Sequence, residues 1–295
     1  ATLVAAAGTD RDLRLTTTAG DLLVNQVGAE DDDVFLVAAG GIVDNNGTDN
    51  NVTSAFLDAM AVTGIDLDTM VDEIVANVTG TGDIELNEAN AVTLTTVTTA
   101  NGDVSVTSGG QMTANFVVAT NAGSNLDLTT TAGDLLAGQI TANADVVTLN
   151  VAGAIVVSNG AANNITSSAF NATAGGGIEL DTDVATIDAA TTAAGDVVLR
   201  ELDDVTLNSV RSLDGNVTVH DGGDLRVGAV TATGNDVQLT TAGAIVDDNG
   251  AALNVTATTL IAEAAGGIEL DTAVASVTAA STGAGGGILR ENEAI

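Results

Sequence analysis

The sequence predicts an all-β chain, a parallel β-helix solenoid, and three observations predict it. The chain repeats itself over long distances, and a shorter period of about 20 residues runs inside the long one. The composition is rich in small and β-branched side chains and contains no proline.

The long repeat is read directly. Leu15-Thr-Thr-Thr-Ala-Gly-Asp-Leu-Leu23 returns as Leu128-Thr-Thr-Thr-Ala-Gly-Asp-Leu-Leu136, an offset of 113. The same offset carries Gly64-Ile-Asp-Leu-Asp-Thr69 onto Gly177-Ile-Glu-Leu-Asp-Thr182. A third copy follows at an offset of 90, where Gly176-Gly-Ile-Glu-Leu-Asp-Thr182 becomes Gly266-Gly-Ile-Glu-Leu-Asp-Thr272 and Arg200-Glu201 becomes Arg290-Glu291. This divides a single solenoid over 1–295 into long units of about 15–127, 128–217 and 218–295.

Within each unit a strand signature ends on Leu15, Leu36, Leu67, Leu86, Val106, Leu128, Leu149, Leu180, Leu199, Val219, Leu239, Leu270 and Leu289. Successive steps run from 19 to 22, with one of 31 at the matching place in each unit. This predicts about thirteen coils, a rod on the order of 60 Å long at about 4.8 Å per coil. The offsets 113 and 90 differ by 23, close to one coil. A solenoid tolerates such a loss, because each coil touches only its neighbours. Pairs such as Val197 and Leu199, or Val217 and Val219, have the period of two that points both side chains inward. Residues 54–73 come nearest to a helical pattern, but their Thr and Gly content and their alignment with strand sequence favour β. Apolar residues at Val52, Ile165 and Val255, and at Leu57, Phe170 and Leu260, predict an extra short strand or a broadened coil inside the 31-residue step.

Composition supports the same fold and excludes several functions. There are 34 Gly, four Phe and no Pro, Cys, Trp, Tyr or Lys. Stacked coils need interior columns of nearly constant size, which aromatics would disrupt, and Pro would remove a ladder donor. Forty acidic residues against six Arg give a net charge of −34, which repels nucleic-acid phosphates and anionic membranes. A hydrophobic fraction of 45% is too high for a disordered acidic tail. No apolar run is long enough to span a bilayer, so neither a nucleic-acid partner nor membrane insertion is expected. Without Cys there is no disulfide or thiolate metal site.

The runs Ala152-Gly-Ala-Ile-Val156, Ala242-Gly-Ala-Ile-Val-Asp-Asp-Asn-Gly250, Gly176-Gly-Ile-Glu-Leu180 and Asp214-Gly-Asn-Val-Thr-Val219 resemble the haemagglutinin-type repeats of filamentous haemagglutinin and related giant bacterial surface exoproteins. The resemblance covers essentially the whole chain and is one of composition and period. It implies a right-handed parallel β-helix, secreted or held at the cell surface, used for adhesion, aggregation or matrix cohesion. The chain lacks the family's N-terminal secretion-recognition domain and has no Arg-Gly-Asp tripeptide, so neither export route nor that mode of receptor binding carries over.

Candidate sites are few. His220 is the only histidine, with Asp221 beside it, and an isolated strand-end histidine argues for structure over catalysis. A polysaccharide-degrading β-helix would need basic residues or stacking aromatics that are scarce here. Acidic turns offer the oxygen ligands that Ca²⁺ takes: Glu30, Asp31 and Asp33 in one, Asp44, Asn46 and Asp49 in another, and Asp247 and Asp248 at the corresponding place in the third unit. Neither an EF-hand loop nor a calcium nonapeptide is present, and the alternative is a hydrated charged loop that keeps the rod soluble. Sequons at Asn77, Asn164 and Asn216 are expected by chance in so Asn- and Thr-rich a chain.

The reading is a structural, non-enzymatic shaft module without cofactors, a piece of a longer protein or a subunit stacking end to end or laterally with its own kind or with other surface components. The alternative is a calcium- or glycan-binding β-helical module that uses the acidic loops of the 31-residue steps.

Overall fold

A computed structural model describes residues 4, 5, 11–160, 162–283 and 285–292. All regular structure among them is β-strand, every named ladder is parallel, and no helix is long and apolar enough to cross a membrane. The chain forms two compact units, Ala1–Ala152 and Gly153–Ile295, and each is a parallel β-solenoid.

In the first unit each coil has three sides. Strand Ile84–Glu88 forms one, and strand Val92–Asn101 forms the other two by bending where the register slips between Leu94 and Thr96. Alternation then fills the interior. One column stacks Leu22, Ile42, Ile65, Ile84, Val104, Leu126 and Val147, and a second stacks Leu13, Val34, Leu57, Ile74, Leu94, Ala114 and Ala137. Nearly all of these are buried. Each fully buried Val, Leu or Ile contributes about 1.5 to 3 kcal/mol. In the second unit Ile178, Val197, Val217, Val237, Leu260 and Val277 form the corresponding column.

These registers explain the repeat lengths. Leu13 and Leu126 are equivalent by sequence, but Leu126 stands in the column of Leu22, five coils up and one side over. The 113-residue unit is therefore five coils plus one side. Likewise Ile178 reaches its counterpart Ile268 by one coil to Val197, one side to Val205, and three coils through Leu225 and Ile245. The 90-residue unit is four coils plus one side, so the difference between the two units is one whole coil.

The 31-residue spacing resolves in the same way. Leu36 stacks on Ala59, an ordinary coil's advance, while Leu67 lies one side further and stacks on Leu86. The predicted extra strand or broadened coil is replaced by ordinary sides, the strands Val52–Ala61, Ile165–Ala174 and Val255–Ala264, whose Leu57, Phe170 and Leu260 are core residues. The signature had jumped sides because the apolar pair recurs there more strongly than in its own column. Residues 54–73 are mostly strand, as expected.

Corners are fixed by Gly-Asp pairs. Asp83 Oδ1 accepts the N–H of Asp103 at 2.8 Å, and Asp103 Oδ1 accepts that of Asn125 at 2.8 Å. Each side chain thus satisfies the corner donor of the next coil. The preceding Gly is required by proximity, since a Cβ on Gly102 would fall 2.2 Å from the Gly82 carbonyl oxygen.

Candidate functional site

The predicted acidic loops turn their oxygens on their own backbone. Asp44 Oδ1 accepts from Asn46 N–H at 2.8 Å and from Asn51 Nδ2 at 2.7 Å, and its Oδ2 accepts from Gly47 N–H at 3.1 Å. Gly47 has a φ of +76°, the left-handed conformation such a turn demands. Asn46 donates to the carbonyls of Asn25 and Asn50, and Asp49 is exposed. In the third copy Asp247 Oδ1 accepts from Asn249 N–H, Gly250 N–H and Asn254 Nδ2 at 2.9 to 3.1 Å. Those hydrogen bonds, the one from Asn254 foremost, hold its carboxyl below the usual range. Asp248 is exposed. Glu30 and Asp31 are exposed in a turn closed by Asp32 N–H to the Ala29 carbonyl at 2.8 Å. Asp33 opens the strand Asp33–Val37, and partial burial followed by repulsion from Asp12, Asp32 and Glu73 raises its pKa. None of these eight residues belongs to a cluster of three close carboxylates among the described residues.

Sequence reasoning passed over the asparagine that closes each loop. Asn51, Asn164 and Asn254 are at most 1% exposed. Asn51 donates through Nδ2 to the Val24 carbonyl at 3.0 Å and accepts Asp68 N–H on Oδ1 at 2.7 Å, linking three coils. Asn164 repeats the contact with Asp181 N–H at 2.9 Å. Burial removes Asn164 from reach as a glycosylation acceptor, whereas Asn216 is exposed.

These loops also open a groove. Ile42 pairs with Ile65, after which the strand Ile42–Asp44 parts from Ile65–Thr81 and Val52 takes its place opposite Thr69. The resulting groove of about 400 Å³ is lined by Asp21, Asp66, Asp83 and Glu85, among others. Asp66 has a raised pKa from desolvation, then from Glu85, Asp44 and Asp68. In the later copies an arginine answers the same acids: Arg200 meets Glu179 at 2.9 Å and Asp181 at 3.6 Å, and Arg290 meets Glu269 at 3.2 Å and Asp271 at 3.4 Å. Asn87 occupies that position in the first copy.

The strongest departure from a plain aliphatic core is a set of buried acids. Glu88 is 3% exposed; its Oε2 accepts Thr69 Oγ1–H at 2.7 Å and Val71 N–H at 3.0 Å. Glu201 repeats this with Thr182 at 2.6 Å and Val184 N–H at 3.0 Å, and Glu291, which is only half-buried, with Thr272 at 2.7 Å. Asp221 stacks on Glu201 in the next coil, its Oδ2 accepting Thr241 Oγ1–H at 2.7 Å. Burial is the main cause that pushes Glu201 up to about 7 and Asp221 up to about 6, against the hydrogen bonds that lower them. His220 is exposed on the opposite face of its strand from Asp221, so the two do not form a catalytic pair. Asp183 and Asp203 flank Glu201, and ligand oxygens of the three lie within 4.8 Å of one another.

Residues 214–284 are similar to a family described as repeats of unknown function (DUF5649). The match covers about a quarter of the chain. It agrees with a β-solenoid built of repeats. No curated protein and no solved structure matches the chain.

Proposed function

We propose that the chain is a structural, non-enzymatic shaft module of a secreted or surface-held fibre, serving adhesion, aggregation or matrix assembly by its shape. The observation that carries this reading is an interior that keeps its aliphatic columns through coil after coil, as Ile178, Val197, Val217 and Val237 do in the second unit. The haemagglutinin-repeat resemblance supports the extracellular setting.

Light scattering and negative-stain microscopy of the full chain test this. Oligomers or fibres that grow with concentration are expected. A monomer at every concentration overturns the self-assembly.

A further inference from the structure

The groove of the first copy differs from its two counterparts by a pair of exchanges. Asp66 and Asp68 correspond to Glu179 and Asp181 in the second copy and to Glu269 and Asp271 in the third. On the next coil Arg200 pairs in register with Asp181 and Arg290 with Asp271, whereas Asn87 pairs with Asp68. Two residues earlier Val198 and Ile288 stand beside Glu179 and Glu269, whereas Glu85 stands beside Asp66. Each later copy thus sets two carboxylates around one guanidinium, and the first sets three carboxylates around none.

The later copies show what such a groove holds. Arg200 Nη2 lies 2.9 Å from Glu179 Oε1 and its Nη1 3.6 Å from Asp181 Oδ1, and Arg290 spans Glu269 and Asp271 in the same way at 3.2 and 3.4 Å. Arg290 also lines the third copy's groove, of about 340 Å³, together with those two acids. A guanidinium is a planar fork that reaches two carboxylates at once. In the first copy the carboxylates of Asp66, Asp68 and Glu85 meet no cation and no hydrogen-bond donor among the described residues. A single metal ion is a poorer match, because these three are not a set whose oxygens all lie within 4.8 Å of one another.

We propose that the first copy's groove, of about 400 Å³, is a binding site for an arginine side chain presented by a partner protein. The guanidinium lies across Asp66 and Asp68 as Arg200 lies across Glu179 and Asp181, and Glu85 adds a third acceptor from the next coil. The half-buried Val43 on the groove wall gives the methylene stem an apolar surface to follow. Desolvation, and then repulsion from Glu85, Asp44 and Asp68, raises the pKa of Asp66, and a cation set between these acids relieves that repulsion. The groove is a point of attachment on the solenoid's flank, and it stands or falls apart from any self-assembly.

The test is an amide NMR titration of the full chain with acetyl-arginine amide at about 0.15 M salt, where diffuse attraction to the acidic surface is screened. Saturable shifts at Asp66, Asp68 and Glu85 are expected with a Kd on the order of 1 mM. Acetyl-lysine amide, a point charge without the fork, should bind about fivefold more weakly or less. Asn87→Arg fills the groove from within and should weaken binding about tenfold or more. Asn150→Arg adds the same charge three coils on and should leave the affinity unchanged. Both positions are exposed, and the dispersion of the same spectra reports that the fold is kept. Equal loss in the two variants, equal binding of the lysine amide, or shifts that never saturate overturn the site.

Discussion

Asn254 and Asp271 hold each other twice: the Asn254 N–H donates to the Asp271 carbonyl at 2.7 Å, and the Asp271 N–H donates to Asn254 Oδ1 at 2.7 Å. The side chain thus supplies a ladder rung where one coil leaves the sheet for its loop. Its Nδ2 reaches the Val227 carbonyl and Asp247 Oδ1, so a single amide closes both loop and sheet.

Replacing that amide leaves the Asp271 N–H and the Val227 carbonyl without their side-chain partner in the interior. Asn254→Ala, and equally Asn51→Ala, are expected to cost about 2 to 4 kcal/mol, above the loss of one ordinary hydrogen bond, because buried donors and acceptors are left unmet. Urea unfolding followed by circular dichroism measures it. A loss below about 0.5 kcal/mol would show that the loop closes without the amide.

The buried acids set a pH dependence. Glu88, Glu201 and Asp221 all have raised pKa values, the last two at about 7 and about 6. An unfolded carboxyl titrates near 4, so the folded state binds more protons in between. For Glu201 and Asp221 that contribution to stability is therefore complete below about pH 4 and is lost as pH climbs through about 6 to 7, on the order of 2 kcal/mol per group. Melting temperature, measured with chelator present, should fall from pH 5 to pH 8. Glu88→Gln should flatten the first unit's share of that slope; an unchanged slope refutes the assignment.

The acidic groove of the first copy lacks the arginine of the other two. Asn87→Arg should place a guanidinium against Asp66 and Asp68, as Arg200 stands against Glu179 and Asp181. At an exposed site the gain is about 0.2 to 1 kcal/mol, and salt should erase it. A denaturation midpoint that does not rise at low salt would show that the two grooves differ in shape.

Coil-wise construction predicts which deletions survive. Ala114 stacks on Ala137, so excising residues 115–137 removes one complete coil and restores every column across the cut. That variant should fold with a cooperative transition, whereas excising about half as many residues from the same start should not. Thermal unfolding by circular dichroism separates the two.

Much of the fold could be read from residue order alone, because Gly-Asp corners punctuate the chain and pairs such as Val197 and Leu199 declare which parity points inward. Three-sidedness could not be read, since the Leu-ending signature marks a single side at a time, changes side at each 31-residue step, and is silent on sides closed by Ala59 or Ala76. The buried acids were legible in principle: continuing the parity of Val197 and Leu199 lands on Glu201, and that of Val217 and Val219 on Asp221. Treating charge as a mark of the outer surface hid them. The closing asparagines were hidden for the opposite reason, as Asn in a turn-rich loop gives no sign that its amide lies inside.

The extra side carried by each long unit has a consequence for the outer surface. In the second unit the loop closed by Asn164 and its counterpart closed by Asn254 face different flanks, since the shorter long unit brings the chain back one side out of phase. Every duplication of such a unit turns the next set of loops by a third of a revolution. Within that unit a copied motif is thereby handed to a new flank, as successive steps of a spiral stair face new directions.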